Sequence, residues 1–527
     1  MMALSDPAAG KRSGQVCHTN PETTQALAKG VIALLRKSPQ AKFAVLSQMD
    51  DSSYCRCDKC ATLAKQEGSV SGPFVAQANA VAEAVEKEIP GARLLITAYS
   101  WTQEPPKTIR PRDNVIVEVA PIGIDFAHAI ATGQYEGNRK WASQIDGWSQ
   151  MASKMLVWFY SGNRGHYLMP NPDLDGLVAN LEFFADHKAR GIFLQGTHNG
   201  RAAEFVPLRM WLVARMLWNP QADGQALIAE FVKGYYGPAA APVQKYIDLI
   251  HEPGRKEQFA LRRRSQMHLP FVRPEIMAEG EALLRQAEKT VDGNADLARR
   301  VRQAHMPIWY MLMKRGPESP TWRAIEGKVG KLDIGTVAGN LKAVIKEWGV
   351  NTVADYEPVG PFVEWLDDYA KMVKEKGRVV PPELEKADPG TYRLIQARQI
   401  DSGMLESSWW HRMEGATDGW ALECRDSRWH VQHTFSPYDD FKPGRKYKFF
   451  VRVKGSPAEK DGTAFIVGLE GVSREFPAAG LSDGRFHVFE VATITAPESL
   501  SMHLILPSKN KAMPKVFLDC LWLEEVK

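Results

Sequence analysis

From residue 19 to about 235, short apolar runs alternate with helical stretches, and that alternation leaves few folds open to the chain. The runs are 43–49, 93–99, 114–120, 155–160 and 191–196. Most are apolar nearly throughout, which marks strands of a parallel sheet covered by helices. Asn20-Pro21-Glu22 supplies a cap and a first-turn proline for a helix running through Leu35. Phe74, Ala78, Val81, Ala82 and Val85 recur at helical spacing, and further helices are read around 141–151, 174–187 and 207–217. The expected class is α/β, a (β/α)8-type barrel. No G-x-G-x-x-G turn follows the first strand, which speaks against an open nucleotide-binding sheet. A closed barrel needs eight strands, so the reading expects a chain that begins inside the barrel, about three βα units missing. The competing expectation is a smaller open sheet.

Residues 241–388 read as a helical subdomain. Amphipathic patterns cover 276–290 and 297–313, and Pro307 inside the second is expected to kink or split it. From 389 to 527 short alternating strands about every ten residues, with Gly, Pro and Asp turns, predict a β-sandwich. The barrel portion is accordingly 1–240.

Net charge is +4 over 527 residues, too small to argue for nucleic acid. No apolar run approaches the ~18 residues of a membrane span. The N-terminus has neither a basic start nor an apolar core, so no secretory signal is visible.

The chemistry is densest where the first strand ends, at Ser47-Gln48-Met49-Asp50-Asp51, followed by Tyr54-Cys55-Arg56-Cys57-Asp58-Lys59-Cys60. Reacting groups collect at such strand exits in α/β folds. Asp50 and Asp51 could serve glycoside hydrolysis, one acid protonating the leaving oxygen and the other orienting a nucleophile. The plainer alternative is a loop cap, with aspartates bonding backbone amides. Cys55, Cys57 and Cys60, with Cys17 one βα unit upstream, could form a four-thiolate zinc site, disulfides, or a set of free thiols. A disulfide between Cys424 and Cys520 is also possible. No cofactor is expected for catalysis.

Other strand exits carry aromatic and polar groups suited to a sugar: Tyr99 and Trp101, Asp125 and His128, Tyr160, then Gln195, His198 and Asn199. Glu204 opens the following helix. Any one of these is more often structural; four consecutive exits sharing the pattern is the stronger signal.

These same residues resemble the signature of the bacterial family catalogued as domain of unknown function 4838, which overlaps glycoside hydrolase family 163. Ser47-Gln48-Met49-Asp50 with the Tyr-Cys-x-Cys-x-x-Cys motif carries the likeness, together with Trp158-Phe159-Tyr160, Leu208-Arg209-Met210-Trp211 and Tyr235-Tyr236-Gly237. The resemblance implies a (β/α)8 barrel preceded by a small α/β domain, export from the cytoplasm, and retaining β-N-acetylglucosaminidase activity on glycans. Against that pattern the chain is expected to lack the first domain and the first barrel strands. Asp50 occupies the family's acidic position, Asp51 a more variable one, and Glu204 is the reserve acid. Tyr160 would bond the substrate acetamide, which in such enzymes serves as nucleophile. The last domain is similar in outline to carbohydrate-binding modules, with Trp409, Trp410, Trp420 and Trp429 as a conceivable sugar platform, although packing is the commoner use of such rings. The expected partner is an oligosaccharide or glycan, as substrate of an extracellular or periplasmic hydrolase or as ligand of a non-catalytic binding protein.

Overall fold

The computed structural model describes residues 2–6, 11–41, 43–196, 203–264, 267–355, 357–400, 409–424, 431–456, 461–507 and 513–526. His198, Asn199 and Trp429 lie outside them. The chain forms two compact units: Met1–Ser161 with Asp175–Gly196 and Val213–Ala222, and the remainder.

In the first unit, β1 (Met2–Asp6) and β2 (Lys11–Val16) form an antiparallel pair, and α1 (Pro21–Lys37) follows. The Asn20 side chain accepts from the backbone of Glu22 and Thr23, satisfying helix donors that would otherwise have no partner. β3 (Ala44–Val45), α2 (Asp58–Glu67), α3 (Ser71–Glu88), β4 (Leu94–Ala98), β5 (Val115–Val119), α4 (Glu136–Met151), β6 (Met155–Tyr160), α5 (Leu174–Asp186) and β7 (Ala189–Gln195) complete the alternation. The five strands β3 to β7 lie in sequential order and are all parallel. Right-handed crossovers in that order place the connecting helices on one face, which is the connectivity of half a barrel.

Two expectations change. The segment 43–49 pairs over only two residues, and beyond Leu46 its hydrogen bonds to the neighbouring strand are made by the Ser47 and Gln48 side chains, both with Thr97. Cys17 does follow a strand, but β2 pairs with β1 and stands outside the parallel sheet.

Register sorts the sheet residues by face. Thr97 pairs with Glu118 and Glu118 with Leu156; Trp158 pairs with Phe193 and Tyr160 with Gln195. Alternation puts all of these on one face. Phe159, of the opposite parity, stacks edge-on against Phe184 of α5 at 5.0 Å. The Thr97–Glu118–Tyr160 face is therefore the one turned away from the helices.

α6 (Val206–Trp218) leads to the helices of the second unit. They are α7 (Gly224–Tyr236), α8 (Ala240–Lys256), α9 (Pro274–Thr290), α10 (Ala295–Arg315), α11 (Pro320–Val329), α12 (Ile334–Glu347) and α13 (Val359–Lys376). α10 runs through Pro307 unsplit; its residues from Gln303 to Arg315 are all buried, and that packing outweighs the lost backbone bond. The last segment forms a six-stranded and a four-stranded antiparallel sheet. Phe435 against Phe449 and Phe465 against Phe489 bridge the two sheets. Among the described residues no helix is long and apolar enough to cross a membrane.

Candidate functional site

Because β3 to β7 are parallel, their C-terminal ends share one edge of the sheet, and side chains following them can converge. Gln48 ties the first two exits together. Its amide donates to the Tyr99 carbonyl at 3.0 Å and to Thr102 Oγ1 at 2.8 Å, while Oε1 accepts from Thr97 at 2.8 Å. Gln15 of β2 adds a second tie to the first exit. Its side chain exchanges two hydrogen bonds with the Met49 backbone, at 2.9 and 3.0 Å.

Held by these ties, Asp50 accepts the Tyr99 hydroxyl at 3.1 Å. Burial and then the Asp50 carboxylate push the Tyr99 phenol up to about 12, with smaller contributions from Tyr160 and Asp51. Tyr99 thus stays a protonated donor toward Asp50 at ordinary working pH.

Asp51 does not join this group. Its Oδ1 accepts from the backbone and hydroxyl of Ser53 at 2.7 and 2.5 Å and from Gln15 at 3.1 Å. The Ser53 hydroxyl chiefly holds its pKa below the usual range. That is the aspartate turn considered as the plain alternative.

Sequence reasoning passed over Glu118. It stands near the C-terminal end of β5, on the same sheet face as Tyr160 and Gln195. It is 9% exposed, and burial raises its carboxyl pKa. No described residue forms an ion pair or side-chain hydrogen bond with it. The available signal was a single acid inside the otherwise apolar run Val115-Ile116-Val117-Glu118-Val119.

Asp125 is enclosed, accepts the Ala127 amide at 2.9 Å and pairs with His128 Nδ1, so it orients that imidazole. Gln195 accepts the Trp158 indole N–H at 3.2 Å. Trp101 is nearly enclosed among His18, Phe74 and Tyr54, with ring centroids 5.5 to 5.9 Å away. It borders a cavity of about 280 Å³ lined also by His18, Tyr54, Arg56, Cys60 and Val70, and by neither Asp50 nor Tyr99.

Glu204 belongs to the second unit and is 2% exposed. It pairs with Arg209 at 2.6 Å, and Arg209 also holds Asp173 at 2.8 Å. Burial raises its carboxyl to about 7, against the lowering pull of Arg209 and with a smaller push from Asp173. Trp409, Trp410 and Trp420 are buried, with Arg398 lying over the last two rings, so they pack rather than present a platform.

Cys17, Cys55, Cys57 and Cys60 bring four sulfurs within 4.8 Å of one another. None of the six cysteines is in a disulfide in this structure, neither in this cluster nor between Cys424 and Cys520. The cluster could hold a structural metal such as zinc.

Residues 3–248 match the family described as Domain of unknown function (DUF4838). No curated protein matches it. Solved structures similar to the chain include a GH138 enzyme targeting pectin rhamnogalacturonan II. That match is 10% identical, covers 96% of this chain and 71% of that one, and has a TM-score of 0.38. CpGH89 from Clostridium perfringens, in complex with GlcNAc-alpha-1,4-galactose, is 11% identical over 57% of this chain and 35% of that one, at 0.29. The CBM36-1 domain of a multidomain xylanase from the hindgut metagenome of Trinervitermes trinervoides is 13% identical over 26% of this chain and 98% of that one, at 0.19. These are distant structural resemblances to glycoside hydrolases and a carbohydrate-binding module, and none assigns a substrate.

Proposed function

We propose that this chain is a glycoside hydrolase acting on N-acetylglucosamine-containing glycans, with retention and with the substrate acetamide as nucleophile. The observation that carries the reading is Asp50 hydrogen-bonded to Tyr99 at the exits of adjacent parallel strands. Asp50 would take the acetamide N–H and polarise the group, so that its carbonyl oxygen attacks the anomeric carbon. Tyr99 and Tyr160 would bond the acetamide and the oxazoline that forms from it. Proton donation to the leaving oxygen needs a carboxyl that is protonated near the working pH. Asp51, exposed and held ionised by Ser53, is poorly placed for that step. Glu118, pushed toward its neutral form by burial and paired with no described charge, suits it better. An exported location accords with glycan substrates.

The test is hydrolysis of an aryl β-N-acetylglucosaminide by the full chain and by Asp50→Asn. Loss of turnover by about 10²–10⁴-fold with glycan binding retained supports the reading. Glycan binding without turnover in the parent chain would leave a sugar-binding scaffold instead.

A further inference from the structure

We infer that Cys17, Cys55, Cys57 and Cys60 form a tetrathiolate zinc site that clamps the loop bearing Asp50. The clamp's bearing on turnover rests on the hydrolase reading; the metal site itself does not.

The spacing of the sulfurs is the first argument. Cys17 Sγ lies 3.7 Å from Cys57 Sγ and 3.9 Å from Cys60 Sγ. A disulfide would bring two sulfurs to ~2.05 Å. Four sulfurs on a tetrahedral ion at ~2.3 Å stand ~3.8 Å from one another. The two Cys17 distances match that spacing, and all four sulfurs lie within 4.8 Å of one another, open enough for one ion at their centre. The set is too tight to wrap a multi-iron cluster, whose cysteines sit outside a core of several atoms.

The surroundings supply what thiolates need. Cys57 is the N-cap of α2, where unpaired amides and the helix dipole favour negative charge. Thr19 Oγ1 lies 3.7 Å from Cys17 Sγ and 3.9 Å from Cys57 Sγ. Thr19 Oγ1 adds a contact to Cys60 Sγ at 3.2 Å. Such outer partners orient and stabilise first ligands in metal sites. With four sulfur ligands the ion has no open position, so its role is structural. Binding is not a redox step: four thiols lose their protons to solvent as four sulfur–zinc bonds form.

The clamp acts where it matters. Cys17 directly follows β2, and the other three cysteines lie on the segment that begins at Asp50. Gln15 already ties the same two segments through Met49 and Asp51. A metal would be the third tie, closing the loop 51–57, which forms no helix or strand of its own.

Elemental analysis of the full chain, purified without metal-affinity steps, is expected to find about one zinc per chain. Cys57→Ser and Cys60→Ser should lose it, and Cys424→Ser should keep it. Chelation of the parent protein should raise hydrogen exchange in 47–60 and leave 115–119 unchanged. Metal-free protein with four alkylatable thiols, two disulfides by mass, or iron in place of zinc would each overturn the assignment. Metal content is read without substrate, so it stands or falls apart from the glycosidase assay.

Discussion

The Tyr99 hydroxyl donates to Asp50 Oδ1 across 3.1 Å, joining the exits of two adjacent parallel strands. Asp50 is exposed, yet the chain leading to it is tied down, the Gln48 side chain bonding the Tyr99 carbonyl and the Gln15 side chain the Met49 backbone. A positioned carboxylate costs no ordering when substrate arrives, which is the physical value of the arrangement.

Removing that hydroxyl should matter more than removing the neighbouring acid. Tyr99→Phe should lower kcat/KM by about tenfold, the worth of one hydrogen bond to a charged group, with the fold intact. Asp51→Asn should stay within about twofold, since Asp51 serves a surface turn. Steady-state kinetics on the same aryl glycoside decide it; equal losses in the two variants would contradict the division of roles.

Two glycines in helices should respond oppositely to alanine. A Cβ on Gly176 of α5 would stand 2.1 Å from the Phe126 carbonyl oxygen, a backbone atom that cannot swing aside. Gly176→Ala should destabilise by about 1–3 kcal/mol. Gly30 in α1 has nothing within 4 Å, so Gly30→Ala should stabilise by about 0.5–1 kcal/mol. Urea denaturation of the two variants against the parent reads both signs.

In the helical region, His305 sits between Glu281 and Glu288, 2.7 Å from each, and stacks on Trp309. Burial alone would lower its pKa, but the two carboxylates raise it to about 9. Burial alone would raise Glu281, but His305 and then Arg285 bring it down to about 2. The histidine's contribution to stability is full below its unfolded value of 6.5 and is lost as pH rises through about 9. That of Glu281 is full above 4.5 and is lost as pH falls toward about 2. The melting temperature should therefore fall between pH 6.5 and 9, and His305→Gln should flatten that slope. Parallel slopes in parent and variant would refute it.

Arg209 carries two buried carboxylates, Glu204 and Asp173. Arg209→Met leaves both without their cation and should cost about 3–5 kcal/mol. Glu204→Gln should alter stability and leave the pH–rate profile in place, because the side chain is enclosed in its own ion pair. A displaced acidic or basic limb in that profile would return Glu204 to the catalytic candidates.

The sequence by itself determined the alternation of strands and helices, the class of sheet and the rim where chemistry gathers. Continuous apolar runs and capped amphipathic helices are local patterns, and β4 to β7 fall within about two residues of their expected bounds. It also marked Asp50 and the thiol cluster, since acids and cysteines after a buried strand are conspicuous without coordinates. What it could not separate was Asp50 from Asp51, adjacent in the chain and alike in chemistry. Tertiary structure decided that, by placing Gln15 and Ser53 around one and Tyr99 against the other. Only the register of β4, β5 and β6 put Glu118 on the face of Tyr160, and only packing enclosed Glu204 and Trp101. Facing and burial depend on residues far apart in sequence, so no local pattern encodes them.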